Sequence, residues 1–265
     1  MKVLNRSLVV LGAGWLGEAL CREAELQGWQ IEGTRTQVNE VHSWSRQLVL
    51  TESGTLAHSI SLHNAYWVCA IPPRARHVDS NYLKTLEQAL LLAKKMSAAG
   101  FLLCSTTGVY STENGEYDEQ GKLADKANRR VDILRTAEEM VLNAGGKVVR
   151  LAGLQGPDRE PGRFVAGKAL SSSANGRVNM VHRGDVVTAI NTVIAQWQDA
   201  ADIYNVCYPA HPTRQAFYQY HCEKLGSEMP SFASSKEEAR IIKAERITEL
   251  GFAYHHPIVN ESELG

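Results

Sequence analysis

The sequence is poor in the features that mark several function classes. No apolar run approaches the roughly 18 residues of a membrane-spanning helix, so no membrane partner is expected. Basic residues are scattered, with Arg129–Arg130 the only adjacent arginine pair, and the formal net charge is −1. Nothing forms the basic stripe that nucleic acid or anionic lipid selects. The five cysteines (Cys21, Cys69, Cys104, Cys207 and Cys222) are odd in number and contain no CxxC pair. Cys69 and Cys104 sit in apolar runs, where a free thiol behaves as a small hydrophobe, so a reducing, cytoplasmic compartment is expected. No HExxH or Cys/His spacing links His211, His221, His255 and His256, and no metal is expected. A GxSxG elbow, an internal repeat and a low-complexity tract are likewise absent. Lys2 and Arg6 precede an apolar stretch in the manner of a signal peptide, but Glu18, Arg22 and Glu23 arrive too soon. The N-terminus therefore reads as a first strand.

What is present centres on Leu8 to Gly28, LVVLGAGWLGEALCREAELQG. An apolar run meets Gly12, Gly14 and Gly17, and a helical pattern follows at once, which is the strand, tight turn and helix of a dinucleotide site. Gly12 permits the sharp turn, Gly14 has no side chain to hold a phosphate away, and Gly17 lets the helix press against the sheet. Trp15 and Leu16 complete the turn as candidate cofactor contacts. The donors facing the anion are the unpaired N–H groups of the helix's first turn, aided by its dipole.

The rest of the chain keeps the same rhythm. A helix ends at Gly28, a second strand is expected at Gln30–Thr34, and Val41–Trp44 leads to a third strand at Gln47–Leu50. The buried-type run Ala65–Ala70 stops at Pro72–Pro73, and Ala70, Ile71 and Pro72 are placed as cofactor contacts. Helical patterns at Asp79–Met96 and Asn128–Asn143 flank strands at Phe101–Ser105 and Lys147–Leu151. Beyond them, Gly153–Gly176 reads as a loop-rich lobe, followed by a helix at Asp185–Trp197 and a strand at Asp202–Cys207. Helical segments are expected at Thr213–Leu225 and Lys236–Leu250. This alternation implies an α/β fold, a Rossmann-type doubly wound parallel sheet with a smaller C-terminal substrate lobe. The expected division is 1–152 with 178–206 for the dinucleotide-binding domain, and 153–177 with 207–265 for the substrate lobe.

At the end of the second strand an NAD-preferring fold places an acid on the ribose 2′-hydroxyl. Here the spacing from Gly17 reaches Thr34, Arg35 and Thr36. Arg35 can pair with a 2′-phosphate, and strand alternation puts Glu32 with Thr34, off the face that Arg35 occupies. NADP is thus preferred, with NAD as the alternative; on the blander reading Arg35 is a solvated loop arginine.

Ser105–Tyr110, STTGVY, resembles the SSxxVYG segment of extended short-chain dehydrogenases, the NAD-dependent epimerase/dehydratase group. Gly156–Pro157, Val181–His182 with Asp185–Val186, and Tyr204–Asn205–Val206 match further segments. The stretches Arg150–Lys168 and Tyr204–Arg214, with GAGWLG, are similar to the atypical YeeZ-like branch of that superfamily. The resemblance covers nearly the whole chain and implies an oxidoreductase or epimerase acting on a small substrate. It also exposes a departure. Active members carry a YxxxK pair on the helix after the fifth strand, and counting back from Glu138 puts Arg130 and Leu134 there. Arginine stays protonated and leucine carries no charge, so neither does that pair's work. Tyr220 and Lys224 have the spacing but fall too late, on one face of another helix.

Several side chains remain as candidates. Thr106 survives from the usual triad, to orient a substrate oxygen or to satisfy local backbone. Tyr110 offers a replacement phenol or a packed aromatic. Arg163 is placed by the resemblance to bind an anionic substrate bidentately or to form a structural salt bridge. His182 resembles a position near the substrate lobe, and Asp185 is expected to cap a helix. Asp118–Glu119 and Glu237–Glu238 read as solvated acids. Three readings follow: an NAD(P)-dependent oxidoreductase or epimerase, a catalytically silent NADP(H) sensor, and a module for another adenine-containing ligand.

Overall fold

Strand alternation and helical periodicity sort the apolar residues onto two faces of one sheet. The computed structural model describes residues 6–73 and 80–260, so Lys2 and Asp79 lie outside the described residues. In chain order the elements are β1 (Ser7–Leu11), α1 (Trp15–Leu26), β2 (Gln30–Arg35), β3 (Ser45–Leu50), β4 (Leu56–His58), β5 (Tyr66–Cys69), α2 (Tyr82–Lys95) and β6 (Gly100–Thr106). After a short 3₁₀ turn come β7 (Gly115–Tyr117), α3 (Arg129–Asn143), β8 (Lys147–Leu151), β9 (Gly153–Gln155), α4 (Pro161–Val165), β10 (Ala169–Ser173), β11 (Met180–His182) and α5 (Arg183–Ala195). The chain ends with β12 (Ile203–Val206), α6 (Arg214–Leu225), β13 (Ser231–Ser234), β14 (Arg240–Ile242) and α7 (Glu245–Glu249).

The main sheet has the order β12-β8-β6-β5-β1-β2-β3-β4. The strands from β3 through β2, β1 and β5 to β6 pair in parallel, and β4 adds an antiparallel edge to β3. From β1 the chain winds outward through β2 and β3, then returns to the other side of β1 as β5. That reversal is the switch point at which doubly wound sheets open a crevice. The fold is the Rossmann-type α/β sheet that the alternation implied.

Residues of one strand parity, Val9, Leu11, Trp67, Cys69, Phe101 and Leu103, pack with Leu86 and Ala93 of α2 and with Ile133, Ala137 and Val141 of α3. On the other face α1 lies close over β2. A Cβ on Gly33 would stand 2.6 Å from the Cys21 sulfur, so that glycine makes room for the helix. Burial pushes the Cys21 thiol up to about 12 and the Cys69 thiol up to about 11, which leaves both protonated and inert as nucleophiles.

The chain forms two compact units. One comprises Met1–Val109, Asp125–Arg150 and Ile190–Ile203; the other comprises Tyr110–Ala124, Leu151–Ala189 and Tyr204–Gly265. The second unit contains three small parallel ladders, β9 with β11, β10 with β13, and β7 with β14. Phe217, Val178, Ile258 and Val259 form an apolar cluster within it.

Two sequence expectations are corrected here. Lys236–Leu250 is not one helix, because Arg240–Ile242 pairs with β7 as β14 and only Glu245–Glu249 is helical. The Asn179 side chain fixes that strand by donating to the Arg240 carbonyl at 2.9 Å and accepting the Ile242 N–H at 2.8 Å. Tertiary pairing thus overrides a helical pattern. Gly153–Gly176 is more regular than a loop, since β9, α4 and β10 fall within it, each too short to show a period.

Candidate functional site

A cleft of about 1040 Å³ opens at the switch point of the first unit. Gly12, Gly14, Thr34, Arg35, Thr36, Ile71 and Pro72 all line it. The three glycines of the turn do different work. Gly12 has φ +85°, and a Cβ there would meet the Ile71 side chain at 2.9 Å. At Gly17 a Cβ would stand 2.2 Å from the Gly12 carbonyl oxygen, so only glycine lets α1 start this close to the turn. Gly14 has an ordinary φ of −82°, and a Cβ on it would meet nothing within 4 Å. The protein's own packing needs Gly12 and Gly17, whereas no packing contact requires a glycine at position 14.

The turn is braced by the end of β2. Thr34 is buried; its hydroxyl accepts the Gly12 N–H at 3.1 Å and its carbonyl accepts the Ala13 N–H at 2.7 Å. The Gly14 N–H is held by the Gly12 carbonyl at 2.8 Å. Gly14 is the N-cap of α1 and lines the cleft, and no side chain caps the helix there; the Glu18 N–H closes the first turn on the Gly14 carbonyl at 2.7 Å. Trp15, Leu16, Gly17 and Ala70 support the turn without lining the cleft, and Leu16 packs into the core.

Arg35 stands at the rim and is partly exposed, with one terminal nitrogen donating to Glu18 Oε2 at 2.6 Å. Its Nε is buried with no hydrogen-bond partner. Glu18 also accepts from Arg22 at 2.7 Å and lies 3.6 Å from His42 Nε2. The Arg22 guanidinium, with Arg35 and His42 beside it, holds the Glu18 carboxyl below the usual carboxylate range. Glu32 is turned away and buried, accepting from the Ser61 and Leu62 N–H groups at 2.8 and 3.0 Å and from Arg46 at 2.8 Å.

At the end of β6 the polar groups are largely committed. Ser105 donates to the buried Glu138, whose other oxygen accepts from Arg150 at 2.7 Å. Thr106 Oγ1 accepts the Gly108 N–H at 3.1 Å. On α3, Leu134 is buried in the core, while the Arg130 side chain reaches over Gly108.

In the second unit the Tyr110 ring is buried and its hydroxyl donates to Asn205 Oδ1 at 2.8 Å. Glu119 is not a solvated acid: it is buried, accepts the Asn205 N–H at 2.8 Å, and burial pushes its carboxyl up. Glu238 is ion-paired with Arg214 at 2.8 Å. Asp185 does not cap α5. It lies inside the first turn, fully buried, and accepts the His255 and His256 N–H groups at 3.0 and 3.2 Å and His256 Nδ1 at 2.7 Å. His182 stacks on that His256 ring with centroids 4.3 Å apart, and burial pushes its imidazole below the ordinary value. Arg163 is exposed and 3.3 Å from Glu160 on its own short helix. His221 holds the Ile258 carbonyl at 3.0 Å, and burial lowers it to about 4. Among the described residues no three His, Cys, Asp or Glu side chains come together as a metal site.

No family model matches the chain. It is 32% identical over 268 residues to the protein YeeZ of Escherichia coli K12, covering 95% of this chain and 97% of that one. The chain belongs to the YeeZ family. Its fold is shared with UDP-N-acetylglucosamine 4-epimerase from Bacillus cereus, at a TM-score of 0.76 and 11% identity over 95% of each chain. The structure of MoeE5 in complex with UDP-glucose and NAD is similar at a TM-score of 0.76 and 15% identity, over 95% of this chain and 94% of that one. A conserved protein from Silicibacter pomeroyi DSS gives a TM-score of 0.73 and 23% identity, again over 95% and 94%.

In this YeeZ-family chain the glycine turn, the end of β2 and the residues after β5 come together in one cleft, whereas Arg163, His182 and Tyr110 belong to the second unit. Sequence reading missed the far wall, which is built from Leu48, Val49 and Leu50 of β3 and from Ser80, Asn81, Tyr82 and Thr85 at the start of α2. The winding rule held the signal for the β3 residues, because a third strand beside β2 must end at the same edge. No helix among the described residues is long and apolar enough to cross a membrane.

Proposed function

We propose that this protein binds a nicotinamide dinucleotide in the cleft at Gly12–Gly17, with NADP preferred, and acts as an oxidoreductase or epimerase on a small substrate. The observation that carries the reading is Gly14. Its Cα faces open cleft with no protein atom near a Cβ position, although its backbone angles would accept any residue. The positive end of the α1 dipole at this bare turn suits a pyrophosphate, and the buried, unpartnered Nε of Arg35 supplies a donor at the rim for a 2′-phosphate. The bound group would supply hydride chemistry; the chain's own residues would hold it and orient the substrate. Thr106, at the end of β6, is the proposed orienting hydroxyl, and the second unit, with Arg163 and His182, is the proposed substrate lobe.

A second reading, a catalytically silent NADP(H) sensor, is supported by a specific observation. The Tyr110 phenol is buried and bonded to Asn205, and α3 presents Arg130 and Leu134 where the resemblance expects a proton-transferring pair. Titration with NADPH and NADH tests binding, with tighter binding of NADPH expected. Labelled NADPH offered with aldehydes, ketones and nucleotide sugars separates the readings: label transfer supports the enzyme, and tight binding with no turnover or exchange supports the sensor.

A further inference from the structure

Arg130 is the second residue of α3, and its backbone N–H is taken by the Asn128 cap at 3.0 Å. Its side chain extends over the turn after β6, where Nη2 lies 3.1 Å from the point at which a Cβ on Gly108 would stand. Thr106 Oγ1 lies 3.4 Å from that same point. The two polar groups thus lie against the same side of Gly108, at the C-terminal edge of a parallel strand, the edge on which such sheets bind ligands. No carboxylate lies within ion-pair distance of the Arg130 guanidinium among the described residues. Arg35, Arg46 and Arg150 of the same unit are by contrast each paired with an acid. Thr106 spends its lone pair on the Gly108 N–H, so its hydroxyl proton is available to donate.

We propose that Arg130 and Thr106 form a binding site for a carboxylate group of the substrate, an assignment that rests on reading this sheet edge as the place where a small molecule meets the dinucleotide. A guanidinium cannot pass a proton, because it stays charged at every accessible pH. It can hold a planar two-oxygen anion through parallel N–H bonds, with the hydroxyl as a third donor. The positive end of the α3 dipole adds to the same field. The neighbouring Lys126 is already neutralised by Glu139 at 2.9 Å, which leaves Arg130 as the cation for the ligand. Both Arg130 and Thr106 are substrate-binding residues on this view, and the substrate is a small carboxylic acid or a sugar acid.

The test is calorimetric titration of the full chain with oxamate, acetamide and inorganic phosphate, with saturating NADPH and again without nucleotide. Oxamate is expected to bind and neutral acetamide is not. Arg130→Gln weakens oxamate at least about tenfold, the loss of a charge-assisted pair, while Arg130→Lys and Thr106→Val each weaken it by about half that on a logarithmic scale. NADPH affinity stays unchanged in all three variants, which also shows that each folds. Oxamate binding that survives Arg130→Gln overturns the proposal, as does a protein that binds phosphate more tightly than oxamate, or one that binds neither. If NADPH fails to bind while oxamate binds in an Arg130-dependent manner, the reading of the glycine cleft falls and the carboxylate site stands.

Discussion

Two strand-to-helix turns lie at the same edge of the sheet, and they are built in opposite ways. After β1 the turn is nearly all backbone, its shape held by Gly12, Gly17 and the buried Thr34. Its uncapped helix start and bare Gly14 leave an opening. After β6 the turn is all side chain, with Ser105, Glu138 and Arg150 locked together beneath it and Arg130 laid across the top. The first turn leaves a bare glycine face at the cleft; the second spends most of its polar groups on side chains of the protein itself. Within one sheet edge, then, one turn is shaped by backbone constraints and the other by a buried side-chain network.

The sharpest break in this comparison is Glu138→Ala. The side chains of Glu138 and Arg150 are 3% and 4% exposed, and removing one partner strands a buried charge. The expected loss is about 3–5 kcal/mol of folding stability, read by urea denaturation. Were the loss below about 1 kcal/mol, the turn after β6 would not depend on this pair. The measurement reads structure alone, because Glu138 is buried and bonded to Ser105 and Arg150.

The same contrast explains what could be read from the chain alone. The glycine turn was readable because its constraints are backbone constraints, expressed by one residue type at fixed spacing. Thr34 and Arg35 were readable because their spacing from Gly17 puts them at the end of the second strand, and both line the cleft. The Ser105–Glu138–Arg150 lock was hidden, since it joins residues from β6, α3 and β8 that no local pattern connects. Asp185 was assigned a helix cap by its position before an apolar run, but it binds a segment 70 residues later. Helix propensity misled at Lys236–Leu250, where Asn179 and β7 claim the backbone of Arg240–Ile242.

Gly17→Ala is the next largest effect. A methyl group 2.2 Å from the Gly12 carbonyl oxygen must push α1 off the turn, since backbone cannot swing aside as a flexible side chain does. The cost is about 1–3 kcal/mol in stability, with weaker dinucleotide binding as a consequence. Gly14→Ala should do the reverse. Its φ of −82° and empty surroundings leave stability unchanged or slightly raised, while NADPH affinity falls by on the order of tenfold. Paired thermal melts and NADPH titrations of the two variants test the division of labour. A destabilised Gly14→Ala, or one that binds NADPH as tightly as the parent, would remove the argument that this position is kept open for a ligand.

The smallest effect is also the most discriminating, because it asks what the rim of the cleft prefers. Arg35 is held by Glu18 at 2.6 Å, and the same carboxylate is drawn on by Arg22 and His42. A 2′-phosphate approaching Arg35 meets both its attraction and the repulsion of Glu18, whereas a bare ribose hydroxyl meets neither strongly. Glu18→Gln keeps a hydrogen-bond acceptor for Arg35 and removes the negative charge. NADPH binding should tighten by about two- to fivefold, the scale of a partly exposed ion pair, with NADH affinity changed less than about twofold. The gain should shrink as salt rises toward 1 M, where screening shortens the reach of the charge to about 3 Å. Arg35→Ala should weaken NADPH and spare NADH. An equal change for both nucleotides in Glu18→Gln would mean that Glu18 acts on the shape of α1 and not on the 2′ position. Any preference for NADPH would then have to come from Thr34, Thr36 or the wall formed by β3.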